Sequence, residues 1–210
     1  MILGNIELLC FEKPEIQNNN KILNPIRHSV NRMTKLTDQL LAYARGGKFQ
    51  VEKISIGDFI SSTVPLIQYN IKSTIGVKTD IPHDISRIKA DLTQMQMVVS
   101  AIISNASEAI DGTGCIRITG RNIEITEENS KDFGGLNPAP YVCLKIEDDG
   151  MGMDEETRKR VFEPFFSTKF MGRGLGMAAV YGIIKNHAGW ISISSELGKG
   201  TTVFFYLPAI

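Results

Sequence analysis

Helix-type and strand-type segments alternate irregularly after residue 54, and this pattern constrains the fold more than any other feature of the chain. The helix-type segments are 55–69, 91–110 and 178–185, and 91–110 carries apolar side chains at three- and four-residue steps. The strand-type segments are 77–81, 87–90, 115–125, 141–147, 190–194 and 201–207. Because the two kinds of segment follow no regular βαβ period, we predict an α+β two-layer sandwich rather than a doubly wound parallel sheet.

The first 47 residues have a purely helical pattern. An apolar segment, 1–11, is followed by Pro14 and a polar run, and a long amphipathic segment, 21–45, then ends at Gly46 and Gly47. Two amphipathic helices joined by a polar turn predict a helical hairpin that serves packing or dimerisation. We therefore divide the chain into a hairpin (1–47), a linker (48–54) and a domain (55–210).

The composition limits the partners that the chain can have. Its 210 residues include 23 basic and 23 acidic side chains, so no net charge favours binding to nucleic acid or to an anionic membrane. No run of about 18 apolar residues is present, so we expect no membrane-spanning segment. Cys10, Cys115 and Cys143 lack the spacing of a metal site, which favours free thiols in a reducing cytoplasm.

Two carboxylates and two glycines follow the strand-type segment 141–147, in the sequence Asp148-Asp149-Gly150-Met151-Gly152. Glycine has no Cβ, so the backbone can approach a flat ligand closely and adopt dihedral angles that other residues avoid. A carboxylate at a strand end can accept a hydrogen bond from an exocyclic amine such as that of adenine. An Asp-Asp-Gly run is also typical of an ordinary turn, so this motif alone leaves both interpretations open.

A glycine-rich loop precedes the helix-type segment 178–185 and has the sequence Gly172-Arg173-Gly174-Leu175-Gly176-Met177. Glycines just before a helix expose its free N–H groups to a phosphate, and the helix dipole favours the anion. Arg173 and Lys169 are candidates for charged contacts with phosphate oxygens. The spacing fits neither the Walker pattern nor a dinucleotide fingerprint, and a flexible glycine loop is the alternative.

Asn105 lies in the helix-type segment 91–110, and helical spacing places Ala101 and Glu108 on the same face. An amide oxygen suits Mg²⁺, which prefers a few oxygen ligands together with substrate oxygens and water. A single polar residue on an amphipathic helix otherwise belongs to its solvated face. Asn105 is therefore a candidate Mg²⁺ ligand only in combination with the other two motifs.

These three motifs, in their chain order, resemble the GHKL nucleotide-binding family (gyrase, Hsp90, histidine kinase and MutL), and within it the sensor histidine kinases. The segment 160–169 is similar to the phenylalanine box of the family's lid, and 198–202, ahead of Leu207-Pro208, to its closing strand pair. The resemblance covers roughly 54–210 and rests on several motifs in the right order. It implies the Bergerat ATP-binding fold, a mixed sheet covered by helices, preceded here by a partial helical hairpin.

The resemblance also implies roles for individual residues. Asp148 would bind the adenine amine, Thr201 would support it through a hydroxyl or a water, and Asn105 would coordinate Mg²⁺. A lid, 155–173, would close over the phosphates. The implied ATP-binding set is Asn105, Asp148, Gly150, Gly152, Lys169, Gly172, Arg173, Gly174, Leu175, Gly176 and Thr201.

The implied activity is transfer of the γ-phosphoryl group of Mg-ATP to a histidine, with a response-regulator receiver domain as a partner. The acceptor context H-[DE]-x-x-[NH] is absent, and His28, His83 and His187 are expected to be structural. We therefore expect the acceptor hairpin to come from outside this chain, and we expect no autophosphorylation by the chain alone. A homodimer through 21–45 is a further expectation.

Two residues depart from the family's pattern. Ala101 lies four residues before Asn105, where hydrolysing relatives carry a glutamate that activates water; alanine cannot accept a proton, which argues against a gyrase-like ATPase. Glu108 occupies a position where some relatives place a lysine.

Two alternatives to the kinase interpretation stay open. One is a nucleotide-binding scaffold or dimerisation fragment without transfer activity. The other is a serine kinase of the anti-sigma type, against which the hairpin argues. A separate alternative concerns the lid aromatics Phe162, Phe165 and Phe166, which could equally be ordinary core residues.

Overall fold

A computed structural model describes residues 50–168 and 174–210, together with Phe11, Leu23, Pro25, Ile26 and Val30. The predicted hairpin lies almost entirely outside the described residues. In chain order the elements are β1 (Val51–Ile54), α1 (Ile56–Gln68), β2 (Ile75–Asp80), β3 (Ile88–Asp91), α2 (Leu92–Ala109), β4 (Gly114–Ile125), a 3₁₀ turn (Ser130–Phe133), β5 (Ala139–Asp148), α3 (Glu155–Arg160), α4 (Gly176–Asn186), β6 (Trp190–Glu196) and β7 (Gly200–Pro208).

Five of these strands form one mixed sheet in the order β2-β4-β5-β7-β6. The β2–β4 pair is parallel, and the other three pairs are antiparallel. Helices α1, α2 and α4 cover one face of the sheet, and the main core lies between them and this face. The predicted α+β two-layer architecture is confirmed.

The burial of alternate residues shows how β5 separates the two faces of the sheet. Val142, Leu144 and Ile146 are buried in the main core, whereas Tyr141 and Cys143 point to the opposite face. Burial also raises the pKa of the Cys143 thiol to about 11, so this cysteine stays protonated and unreactive near neutral pH.

The segment between β4 and β5 covers part of the opposite face. Phe133 lies with its ring centroid 5.2 Å from that of Tyr206 and 6.4 Å from that of Trp190, both in edge-to-face geometry. Gly134, at φ 67°, passes directly over the Trp190 ring, where a Cβ would lie 2.0 Å from Nε1. The sequence indicated only a surface loop here, and the structure shows an aromatic clamp on the sheet.

Residues 51–54, inside the segment that we interpreted as a linker, form a strand. This strand, β1, pairs antiparallel with β3 in a separate two-stranded sheet. The linker interpretation missed the strand because four residues carry too little alternation to indicate one. Its partner is also distant in sequence.

Asp91 and His187 join the beginning of α2 to the end of α4. Asp91 caps α2 by accepting a hydrogen bond from the Gln94 N–H (2.9 Å), and it also accepts one from the Gln50 N–H (3.0 Å). The Asp91 N–H donates to Nε2 of the buried His187 ring (3.0 Å), while Nδ1 lies 2.8 Å from the Ile183 carbonyl oxygen. A carbonyl only accepts, so the hydrogen of the neutral ring is on Nδ1. His187 is therefore a structural residue.

Replacing His187 with alanine is expected to lower the free energy of unfolding by about 2–4 kcal/mol, because the change leaves the Asp91 N–H unpaired and opens a cavity. Urea denaturation of the two proteins measures the effect. His83→Ala is the control, since this exposed side chain should contribute less than about 0.5 kcal/mol. An H187A protein as stable as the wild type would show that the contact between Asp91 and His187 does not stabilise the fold.

Candidate functional site

The candidate site lies where β5 ends, at Asp148. Asp148 is only 8% exposed, and its carboxylate accepts hydrogen bonds from the N–H groups of Gly150 (2.9 Å) and Thr201. Burial raises the pKa of Asp148, the two backbone hydrogen bonds lower it, and the neighbouring charges of Asp149 and Glu147 raise it. A buried carboxylate without a cation among these contacts is costly to the fold, which is typical of a functional residue.

The loop after Asp148 packs against the C-terminal end of α2. The Met151 N–H donates to the Ala109 carbonyl oxygen (3.0 Å), and a Cβ on Gly150 would lie 2.8 Å from the same carbonyl group. Asn105 is one helical turn before Ala109 and is half-buried. The fold therefore brings two of the predicted site residues, Asn105 and Asp148, to the same end of the domain.

Gly152 and Gly200 allow the loop and the β6–β7 turn to pack closely. Gly152 has φ 67°, and a Cβ there would lie 2.0 Å from the Glu196 carbonyl oxygen. Gly200 has φ 87°, and its Cβ would lie 2.0 Å from the Asp148 carbonyl oxygen. The Cβ position of Gly150 meets the Ala109 backbone and the Asp148 carboxylate, and that of Gly152 meets the Glu196 backbone. The approach of a flat ligand to these glycines stays a prediction.

Ser195 occupies the centre of a hydrogen-bond network that the sequence analysis missed. Its hydroxyl oxygen accepts from the Met153 N–H (2.8 Å) and lies 2.9 Å from both the Gly200 carbonyl oxygen and Thr201 Oγ1. The Thr201 hydroxyl, predicted to support Asp148, is thus held by Ser195. The available signal was strand alternation, since Ser195 shares a face of β6 with the buried Ile191.

Asp149 was also missed as a structural residue. Its two carboxylate oxygens lie 2.9 and 3.1 Å from the Cys115 backbone nitrogen, whose N–H they accept. Asp149 therefore fixes the loop to the beginning of β4, while Asp148 points inward from the end of β5.

The predicted lid begins with α3 and a turn that contains three phenylalanines. Phe162 packs on Tyr181 of α4, with the ring centroids 5.6 Å apart, and the Arg160 guanidinium lies 4.3 Å from the Phe166 ring centroid. Phe165 is 72% exposed. The interpretation of Phe165 as a core aromatic is therefore wrong.

The glycine-rich loop enters α4 at Gly174, Leu175 and Gly176. The Phe165 N–H donates to the Gly174 carbonyl oxygen (2.9 Å), and Gly174 has φ 62°. Leu175 is the N-cap of α4 and provides no side-chain hydrogen bond to the first-turn N–H groups. An oxyanion is the complement of such a helix end. The predicted contacts Lys169, Gly172 and Arg173 lie outside the described residues.

The donor set fits a magnesium ion that arrives with a phosphate ligand. In the described part of the chain, no group of three or more His, Cys, Asp and Glu side chains could hold a metal ion. Asn105 offers an amide oxygen on α2, and Mg²⁺ commonly uses one or two protein oxygens together with phosphate oxygens and water. Glu108 is exposed on the same helix, 3.5 Å from the Ser104 hydroxyl.

None of the helices that the structure describes is both long enough and apolar enough to span a bilayer. This finding concerns residues 50–168 and 174–210 and the few described residues before them.

A model of the family "Histidine kinase-, DNA gyrase B-, and HSP90-like ATPase" matches residues 90–210. This range contains Asn105, Asp148, the glycine-rich loop and Thr201.

Curated relatives are sensor kinases of greater length. Sensor kinase CckA of Brucella abortus is 35% identical over 187 residues, which are 88% of this chain and 20% of the relative. Sporulation kinase E of Bacillus subtilis is 30% identical over 88% of this chain and 23% of its own length. The chain thus spans about a fifth of the length of these relatives.

Solved structures share the fold. The catalytic domain of histidine kinase ThkA superposes with a TM-score of 0.62 at 24% identity, over 77% of this chain and 97% of that domain. ShkA in complex with AMPPNP superposes with a TM-score of 0.73 at 19% identity, over 91% of this chain and 39% of ShkA.

Proposed function

The chain belongs to the histidine kinase-, DNA gyrase B- and HSP90-like ATPase family, and from this premise we propose that it binds Mg-ATP and transfers the γ-phosphoryl group to a histidine outside the chain. The observation that carries the proposal is the buried Asp148 carboxylate at the end of β5, which the Gly150 and Thr201 N–H groups hold beside the C-terminal end of α2. The sensor-kinase names of the relatives support the choice of a histidine as the acceptor.

The adenine amine is the group that Asp148 would bind. An ionised carboxylate only accepts hydrogen bonds, and an exocyclic amine donates them. The Gly150 and Thr201 N–H groups hold the carboxylate in place and partly offset its burial. Binding at this end would direct the phosphates toward the N-terminus of α4, where the Leu175 side chain provides no hydrogen bond to the first-turn N–H groups. Lys169, Gly172 and Arg173 complete this proposed phosphate site.

Transfer would depend on positioning and electrostatic stabilisation rather than on a covalent step by this domain. Asn105 would hold Mg²⁺, which supplies charge to neutralise the phosphoryl oxygens. The acceptor imidazole supplies the nucleophile. Ala101 packs partly buried against the core and cannot act as a base for water, which favours transfer over hydrolysis.

The proposed partners follow from this chemistry. They are an acceptor hairpin of a kinase and a response-regulator receiver domain, and a homodimer through 21–45 is part of the proposal. ThkA has been solved in complex with the response regulator protein TrrA. A cytoplasmic location is also part of the proposal, because ATP is a substrate inside the cell.

Calorimetric titration with a non-hydrolysable ATP analogue and Mg²⁺ tests nucleotide binding. We expect one site per chain and a Kd of about 1 µM to 1 mM, the range of ordinary enzyme–substrate affinities. EDTA in excess of the metal should weaken binding, because Asn105 would then lose its ion. No heat of binding by a chain whose circular dichroism shows it to be folded would overturn the proposal.

A further inference from the structure

Ser195 has one hydroxyl hydrogen and three polar neighbours. The Met153 N–H can only donate to it, and the Gly200 carbonyl oxygen can only accept from it. Ser195 therefore gives its hydrogen to Gly200. The third contact, to Thr201 Oγ1 at 2.9 Å, is then satisfied only when Thr201 is the donor. This assignment is the one that uses all three contacts.

Thr201 consequently has no hydrogen left for a ligand. Its hydroxyl keeps lone pairs, so toward a ligand it can only accept a hydrogen bond. Thr201 lies directly opposite Asp148 in the β5–β7 pair, so the two side chains share one face of the sheet. The ionised Asp148 carboxylate also only accepts. Two neighbouring acceptors thus face the position where a base would bind.

We propose that Ser195 is a positioning residue, which holds Thr201 as an acceptor and so makes the base site select an amino group over a carbonyl group. The inference rests on the proposed nucleotide-binding function. Adenine presents an exocyclic amine at C6, a donor that complements both side chains. Guanine presents a carbonyl oxygen there, an acceptor that would leave lone pairs unpaired on both sides.

Without Ser195, the Thr201 hydroxyl is free to rotate and donate. Its hydrogen could then pair with the guanine carbonyl oxygen, which would remove part of the penalty against guanine. Adenine would lose a fixed acceptor at the same time. Ser195 acts through Thr201 and does not itself touch the base. Its loss should therefore change the ratio of the affinities for adenine and guanine nucleotides.

The test is the affinity of the full chain for Mg-ADP and Mg-GDP, measured by displacement of a fluorescent ADP derivative. We expect the wild type to prefer ADP, and we expect Ser195→Ala to reduce the ADP/GDP preference by about fivefold to tenfold, the effect of one neutral hydrogen bond. Ser195→Thr keeps the hydroxyl and should restore the preference. The matched control is Ser194→Ala, because Ser194 is exposed and its side chain points to the opposite face of the same strand.

A double-mutant cycle separates this role from a merely structural one. Thr201→Val removes both the donor and the acceptor, so adding Ser195→Ala to it should leave the ADP/GDP ratio unchanged. Equal loss of ADP and GDP affinity in Ser195→Ala, or an unchanged ratio in a variant that binds ADP, would overturn the inference. Failure of the wild type to bind either nucleotide would instead contradict the proposed function.

Discussion

Replacing Asp148 with asparagine is expected to weaken nucleotide binding by about 100-fold or more and to leave the domain folded. The asparagine oxygen can still accept a hydrogen bond from the Gly150 N–H. Its NH₂ group, however, would face the donor of the adenine amine. The variant loses a charged hydrogen bond and places the asparagine NH₂ group against the adenine amine. Together these changes remove about 3 kcal/mol of binding free energy. Titration calorimetry with the Mg-bound analogue measures the loss.

The same substitution is expected to stabilise the protein at neutral pH. Because burial raises the pKa of Asp148 above its ordinary value, the side chain ionises less readily in the folded domain than in the unfolded chain. The resulting destabilisation is absent below the ordinary carboxyl pKa, develops as the pH rises through it, and is complete above the raised pKa. A neutral side chain removes this cost, and urea denaturation at pH 7 should show the gain.

Affinity for the nucleotide should increase as the pH rises, whereas ionisation of Asp148 makes the folded domain less stable as the pH rises. Protonation of Asp148 converts an acceptor into a donor, so the affinity of the wild type should fall as the pH is lowered through the raised pKa. The control is Asp149→Asn, because Asp149 is exposed and contacts Cys115 instead of the site. Wild-type affinity in D148N would show that Asp148 is not the base-binding residue, whereas an equal loss in D149N would show that the loop fixed by Asp149 controls the affinity.

Replacing Gly152 with alanine is expected to lower the free energy of unfolding by about 3–4 kcal/mol or more. The left-handed backbone at φ 67° costs an L-residue about 1–2 kcal/mol. The added Cβ would also lie 2.0 Å from the Glu196 carbonyl oxygen, so backbone must move to relieve the overlap. Because this loop carries Asp148, the protein that remains folded should also bind nucleotide more weakly.

Two other glycines separate the causes of this effect. Gly198 has φ 77° and nothing within 4 Å of its Cβ position, so Gly198→Ala should show the dihedral cost alone, about 1–2 kcal/mol. Gly57 lies in α1 with open space around it, and Gly57→Ala should stabilise the domain by about 0.5–1 kcal/mol. Urea denaturation of the three variants gives the comparison. Equal stability of Gly152→Ala and Gly198→Ala would contradict the proposed overlap with Glu196.

Features that depend on local periodicity were predictable from the sequence. The apolar steps in 91–110 gave α2 (Leu92–Ala109), and the β-rich segment 141–147 gave β5 (Ala139–Asp148), each within a few residues. The order of the asparagine helix, the Asp-x-Gly-x-Gly loop and the glycine loop pointed to the family. Element type and motif order can be predicted because residues that are close in sequence determine them.

Features that depend on contacts between distant segments were not predictable. Strand β1 exists because β3 pairs with it. The role of Ser195 arises because the fold brings Met153 and Thr201 to its hydroxyl. The role of His187 arises because the Asp91 N–H donates to its ring. Gly152 was recognised as a position that requires glycine, but the sequence did not show that a side chain there would meet the Glu196 carbonyl oxygen. A single sequence without its fold does not show which distant groups meet.

Phosphoryl transfer in trans is the direct test of the proposed kinase function. Radiolabelled ATP, Mg²⁺ and the chain are incubated with a separate acceptor hairpin taken from a histidine kinase, with its acceptor histidine intact or replaced by alanine. We expect label on the intact hairpin only, and we expect this label to be lost in acid and to be absent when D148N replaces the wild type. An acid-stable label would indicate a serine kinase, and no label from a chain that binds the nucleotide would leave a binding scaffold. Either result would contradict transfer to histidine by this chain.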